Sequence, residues 1–389
     1  MALVPISYNA RSLFVRRSAT LLTVVSVGAT VAVFAGVLSL QQGFQTLFTT
    51  AGRDDVAVFL RPGSTSEGES FFSREQVDVL VKSLPEIAES GDGLPLASAE
   101  LYLAVRLRKT DGGETNVPIR GVELASFSIR RDSLRITEGR RFEQGADEIV
   151  VGRALTERIR GARLGDVIRV NVTPFRVVGI FESDGPFESE IWGDLERVAE
   201  ALERPVYSRV IAEMRPGTDL GALSARIEQD RQAPAKVQTE KAYLSSQTTA
   251  LSATLTALGA FLGAVMGAAA VFTGTNTMLA AIAARTHEIG ILISLGFRPL
   301  AIFAAFLLES LLLGILGGIA GCIMVIPLNG VRTGTTNFQT FTEVAFAFSV
   351  TPEVLLEAVL FAMTLGLIGG AWPAWRAARM GAVEALRRH

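Results

Sequence analysis

Apolar residues in this chain gather into four long runs, approximately Ser18 to Leu40, Leu255 to Ala284, Leu300 to Leu328 and Val354 to Trp375. A helix rises about 1.5 Å per residue and a hydrocarbon core is about 30 Å thick, so roughly 20 consecutive apolar residues can cross it. Inside hydrocarbon a lone segment satisfies its own backbone only as a helix, so the pattern predicts four transmembrane helices. The first run exceeds the roughly 7–15 residue core of a secretion signal, which favours a retained anchor over a cleaved leader. Ahead of it, "PISYNARSLFVRR" alternates apolar and basic residues and reads as an elbow helix on the membrane surface, or as a plain topogenic tail.

From about Gln41 to Thr249 the pattern is that of a water-soluble mixed α/β domain. "DVAVFL" reads as a strand and "RPGSTSEGES" as a loop. "FSREQVDVLVKSL" reads as a helix capped by Ser73, with Gln76 completing a capping box and Val77, Leu80, Val81 and Leu84 on the face that packs on a sheet. Leu101, Leu103, Val105 and Leu107 alternate, "KTDGGET" supplies turn chemistry and "NVPIRGVEL" returns, which predicts a hairpin. "EIVVGRALTERI" gives strand, turn and helix, and "GDVIRV" and "FRVVGIF" give two more strands of a two-part domain. The acid-rich "FESDGPFESEIWGD" lacks the ligand spacing of an EF-hand and reads as a solvated or protein-contacting loop. "KAYLSSQTTALSATL", free of Gly and Pro, continues as a stalk helix into the second span.

Composition agrees with a mosaic: 49% hydrophobic residues and a mean hydropathy of +0.36 are too apolar for an ordinary soluble protein, yet 20% of residues are charged. A net charge of −2 leaves no basic footprint for nucleic acid. The single cysteine, Cys322, lies in an apolar run, so a domain exported to an oxidising compartment carries no disulfide of its own. His287 and His389 are far apart and no ligand cluster accompanies them, so no metal site is expected. No nucleophile–base pair, phosphate loop or paired-carboxylate signature stands out, so no catalytic residue is expected either.

Orientation follows from arginines in the short connections. Arg11, Arg16, Arg17, Arg285, Arg298, Arg376, Arg379, Arg387 and Arg388 fall on one side of a four-span layout, against Arg332 alone on the other. The expected order is a cytoplasmic elbow helix (1–17), transmembrane helix 1 (18–40), a periplasmic α/β domain with stalk (41–249) and transmembrane helix 2 (250–284). A cytoplasmic coupling helix (285–299), transmembrane helix 3 (300–328), a short periplasmic loop (329–352), transmembrane helix 4 (353–375) and a cytoplasmic tail (376–389) follow. The fold class expected is therefore an α-helical membrane protein with four transmembrane helices plus a mixed α/β periplasmic domain.

The most informative segment is "ARTHEIGILISLGFRPLAIFAAFLLESLLLG". Its start reads as a short amphipathic helix, with Arg285 and Glu288 at i,i+3 and Ile289, Leu292 and Leu295 as apolar contacts, broken by Gly296 and Pro299. Such a helix between two spans suits a partner's groove and transmits rigid-body motion, whereas the bland reading is a reversal loop. Small residues mark the spans for close packing: Gly259, Gly263 and Gly267, then Gly314, Gly317, Gly318 and Gly321. Polar groups at membrane depth reduce to Glu309 and a Thr/Asn cluster around Asn276, too little for a hydrophilic channel. Glu309 reads as a hydrogen-bonding residue between helices or as a proton relay.

"RTHEIGILISLGF" resembles the coupling segment of FtsX-like and MacB-like ABC transporter permeases, and "PAWRAARMGAVEAL" resembles that family's ending. "ESEIWGD", "FTGTNTM" and "FLLESLLLG" add to the likeness, nearest to DevC-type separate-chain permeases and related to LolC and LolE. The resemblance implies a permease homodimer bound to two ABC ATPase subunits, with Arg285, His287, Glu288, Ile289, Gly290, Leu292, Leu295 and Gly296 at the ATPase contact. His287 and Ser294 depart from the family's usual residues without abolishing docking. No Walker A sequence occurs here, so ATP and Mg would be bound by the partner ATPase and this chain would carry no cofactor and no enzyme activity. The resemblance further implies mechanotransmission for export across the cell envelope from the bacterial inner membrane, with membrane lipid, a periplasmic adaptor and an outer-membrane channel as further partners. Lipoprotein or lipid extraction (Lol-like) and FtsX-like regulation of cell-wall hydrolases are the alternatives. A receptor or structural anchor using no ATP is a reading from a different class, and the short cytoplasmic segments, with no room for a signalling domain, argue against the receptor.

Overall fold

The computed structural model describes residues 17–49, 51–183, 185–337 and 342–381, so the expected elbow helix and most of the C-terminal tail lie outside the described residues. The chain forms two compact units. A helical unit takes residues 1–43, 253–331 and 347–389, and a sheet unit takes 44–252 and 332–346.

Four helical segments among the described residues are long and apolar enough to cross a membrane, over Thr20–Phe48, Leu251–Ala284, Pro299–Leu328 and Pro352–Ala378. The first, α1, runs Arg17–Thr49, well past the end of the apolar run. Within the helical unit, glycine sets the packing of the other spans against it. Helix α9 (Pro299–Val325) turns Gly317 and Gly321 to Val27 and Val31 of α1, where an added Cβ would stand 2.6 and 2.7 Å from those side chains. It turns Gly314 and Gly318 to Ala362 of α10 (Pro352–Ala378), at 2.6 and 2.9 Å by the same measure. On α7 (Glu240–Ala284), Gly259 meets Val37, Gly263 meets Phe34 and Gly267 meets Leu365. Each stripe therefore serves contacts within one chain, where the absence of side chains lets backbones approach.

Helix α10 starts on the Thr351 cap with Pro352 in its first turn, and carries Pro373 inside. A proline there withholds the N–H that would reach the carbonyl of Gly369 four residues earlier. Thr275 of α7 replaces it, its Oγ1 donating to Gly369 O at 2.9 Å. A freed carbonyl in an apolar helix bundle is thus satisfied by a neighbouring span. At the end of α10, Trp372, Trp375, Arg376 and Arg379 are exposed on one face, with Arg379 4.3 Å over the Trp375 ring.

The sheet unit is built on one ten-stranded mixed sheet. Its strands are β1 (Val56–Leu60), β2 (Ala97–Arg108), β3 (Glu114–Val122), β4 (Leu134–Gly139), β5 (Glu148–Gly152), β6 (Val167–Val170), β7 (Thr173–Ser183), β8 (Ile191–Asp194), β9 (Arg209–Glu213) and β10 (Lys236–Thr239). They order β10-β1-β9-β2-β3-β8-β5-β7-β4, with β6 on β7. The β2–β3 hairpin keeps register from Glu100↔Val122 to Arg108↔Glu114. The expected two-part layout gives way to a continuous sheet because β3 and β8 pair in parallel, Ile119 against Ile191. Helix α2 (Arg74–Ser83) begins with the capping box of Ser73 and Gln76, and buries Val77 and Leu80 in the sheet's core with Leu101, Val117 and Ile119. Four shorter helices follow before α7: α3 (Ala125–Ile129), α4 (Arg153–Thr156), α5 (Leu195–Ala201) and α6 (Leu220–Glu228).

Two further expectations need correction. The loop expected to be solvated is largely buried: Phe181, Phe187, Ser189, Glu190 and Trp192 lie inside, because Trp192 packs against Phe127, Phe181 and Phe187 and Glu190 meets Arg120. The connection expected as a plain loop at 329–352 holds two paired strands, β11 (Arg332–Asn337) and β12 (Thr342–Ala347), and belongs to the sheet unit over residues 332–346. Phe346 closes edge-on against Phe44, ring centroids 5.3 Å apart, which gives this hairpin an apolar seat.

Candidate coupling site

Between α7 and α9 lies α8 (Thr286–Ser294), and local chemistry defines both of its ends. Arg285 is the N-cap and makes no side-chain cap hydrogen bond. Its guanidinium instead reaches α9, where Nη1 donates to Glu309 Oε2 at 3.1 Å with both side chains buried. At the other end the Gly296 N–H donates to Ile293 O at 3.0 Å and the Phe297 N–H to Leu292 O at 3.1 Å, the paired bonds of a Schellman closure. Gly296 has φ +85, a left-handed conformation that costs a residue with a Cβ roughly 1–2 kcal/mol. Arg298 is then extended and Pro299 opens α9, where a missing N–H loses no intrahelical bond.

The segment has two faces. Ile289 and Gly290 are buried, Ile289 in a cluster with Met278, Ile282, Ile302, Phe306 and Ala374. His287, Glu288, Ile291, Leu295 and Gly296 are exposed and Leu292 is half-buried. Leu295 stands out, 71% exposed although apolar. Of the residues expected at a partner contact, Arg285, Ile289 and Gly290 therefore hold α8 to its own bundle, while His287, Glu288, Leu295 and Gly296 face outward. Ile291 and Arg298 belong with the exposed set. Ile291 could be found from sequence only by its helical offset, three residues after Glu288 and four before Leu295.

The pairing with Arg285 brings Glu309 to this site, whereas Asn276 is exposed on α7 and makes no part of it. Glu288, Ile291 and Leu295 thus form an outward ridge on a helix pinned from behind by a buried ion pair and by an apolar cluster that reaches α7, α9 and α10. Among the described residues no three His, Cys, Asp or Glu side chains converge as metal ligands.

A family model described as a MacB-like periplasmic core domain matches residues 20–230, and one described as an FtsX-like permease C-terminal region matches residues 252–382. The macrolide export ATP-binding/permease protein MacB of Sodalis glossinidius is 25% identical over 400 residues, covering 95% of this chain and 58% of MacB. The pyoverdine export ATP-binding/permease protein PvdT of Pseudomonas syringae pv. tomato is 25% identical over 334 residues, 79% of this chain and 48% of PvdT. The ABC transporter permease YknZ of Bacillus subtilis is 24% identical over 296 residues, 70% of each. The chain spans about half the length of the MacB and PvdT relatives.

Proposed function

This chain belongs to the family of ABC transporter permeases that join a MacB-like periplasmic core to an FtsX-like C-terminal region, and we propose that it couples ATP hydrolysis by a separate ATPase subunit to a conformational change of its periplasmic sheet unit, for export across the cell envelope. The observation that carries the reading is α8, whose exposed Glu288, Ile291 and Leu295 offer a ridge to a partner while Arg285 and Ile289 fasten the same helix to the bundle. In this scheme the chain sits in a bacterial inner membrane with both termini and α8 cytoplasmic. Arg376 and Arg379 at the end of α10 support that orientation through the excess of basic residues in cytoplasmic connections, and the exposed Trp372 and Trp375 beside them suit a membrane–water interface. A second copy completes the complex as a homodimer. ATP and Mg belong to the ATPase, and a periplasmic adaptor and an outer-membrane channel take the cargo onward.

Lipid or lipoprotein extraction would call for an apolar cavity among the spans. The cavity lined by Val27, Met278, Leu313, Gly314 and Leu365 is about 20 Å³, room for roughly one water, and adds no support to that reading.

Reversing charge with Glu288→Lys, or bulking the turn with Gly296→Val, is expected to leave the permease folded and to uncouple ATP hydrolysis from export. ATPase rate and transport measured on the reconstituted complex check this. Normal coupled activity in both variants, with normal assembly, contradicts the assignment.

A further inference from the structure

Beneath the sheet unit's surface lies a network of charges that the coupling site does not use. Glu100 of β2 is fully buried, and three arginines converge on it. Arg120 Nη1 lies 3.0 Å from Glu100 Oε2, Arg130 Nη1 2.7 Å from Glu100 Oε1, and Arg209 Nε 2.8 Å from Glu100 Oε2. Arg120 also makes two-pronged bonds to Glu67, at 2.7 and 2.8 Å, and to Glu190, at 2.7 and 2.8 Å. Burial works to raise the Glu100 carboxyl, but Arg130, Arg209 and Arg120 beside it prevail and hold it well below the usual carboxylate range.

The network extends from the sheet to one helix. Arg130 Nη2 donates to Glu240 Oε1 at 2.9 Å, and Glu240 is the first residue of α7. Two more bonds hold the following turns: the Glu67 N–H donates to Tyr243 Oη at 3.1 Å, and Gln247 Nε2 donates to Thr65 O at 3.0 Å. Glu240, Tyr243 and Gln247 are spaced i, i+3, i+7, one face of the helix. The Lys241 N–H also reaches Arg53 O, which ties the start of α7 to the segment leaving α1.

A buried ion network is weak evidence for stability, because well-packed apolar residues can serve as well or better. Its distinguishing property is direction. Apolar contacts tolerate sliding, whereas an Arg–carboxylate bond displaced by an ångström leaves a charge without its partner. We propose that Glu240, with Arg130 and Glu100 behind it, is a positioning clamp that makes the first turns of α7 move as one with the sheet. The helix that becomes the second span then delivers its displacement to the sheet without slip. The mechanical role rests on the proposed ATP coupling; the clamp itself does not.

Hydrogen exchange on the full chain in complex with its ATPase in nanodiscs separates the two. Without nucleotide, Glu240→Gln is expected to raise exchange of amides 240–247 by about tenfold while β2 and β3 stay protected. Unchanged exchange in Glu240→Gln overturns the clamp, as does an equal rise spread over β2 and β3. With vanadate-trapped nucleotide, the wild type is expected to change exchange in β9 and β10, and Glu240→Gln to lose that change while ATP hydrolysis continues. A full nucleotide response in Glu240→Gln overturns the mechanical role. No response in the wild type overturns the ATP-coupling reading instead, and the nucleotide-free arm still decides the clamp. If Glu240→Gln fails to fold, Arg130→Lys, which keeps the charge but has a single nitrogen in place of the fork that bridges Glu100 and Glu240, carries the same readouts.

Discussion

In the sheet unit three arginines and four glutamates share one buried network, whereas in the helical unit the buried charges among the described residues are the single pair Arg285 and Glu309. Where the sheet unit fixes elements with directional bonds, the helical unit fixes them with glycine against Val27, Val31 and Ala362. The difference follows from the surroundings. Spans in lipid gain no hydrophobic drive toward one another, so close van der Waals approach has to hold them. A domain in water can assemble charges that were hydrated before folding, and here they gather where β2, β3, β9 and the start of α7 meet. Helix α7 experiences both regimes: Glu240 at its start joins the network, Gly259, Gly263 and Gly267 pack by contact, and Arg285 just beyond its end returns to an ion pair.

The comparison breaks most sharply at Glu100. Glu100→Ala strips three buried guanidinium groups of a shared partner and is expected to destabilise the sheet unit by about 3–5 kcal/mol, with the helical unit unaffected. Chemical denaturation of the full chain, followed at the buried Trp192, measures it. The helical unit has its counterpart at Gly318, where an added Cβ would stand 2.9 Å from that of Ala362. Gly318→Leu is expected to cost about 1–3 kcal/mol by forcing α9 from α10. Gly274 has open space around it, so Gly274→Ala should be neutral or stabilise by up to about 1 kcal/mol. Similar gains in both variants, measured by unfolding in mixed micelles, would show that helix propensity rather than contact governs these glycines.

Much of this was legible from local rules. Apolar run length marks the four helices, the Ser73–Gln76 box marks the start of α2, and Gly296 with Pro299 marks the turn after α8. The network was hidden for a physical reason. Glu100, Arg120 and Arg209 sit at single positions inside strands, where alternation reads a charge as facing solvent, and only the neighbour order β9-β2-β3 shows that they face one another. Glu190 was lost in an acid-rich loop for the same reason, because its partner Arg120 lies 70 residues away. At the candidate coupling site the helix and its break were readable. Which of its residues turn inward was not, since Arg285 and Ile289 are buried by α9 and by the cluster reaching α7 and α10.

The account depends on α8 being the part of the chain that meets the ATPase. A photocrosslinker placed at Leu295, 71% exposed on α8, and another at Val172, 83% exposed in the sheet unit, test this on the assembled complex in membranes. An ATPase adduct is expected from position 295 and none from position 172. An adduct from position 172, or its absence at position 295 in a complex that still hydrolyses ATP and exports, would contradict it.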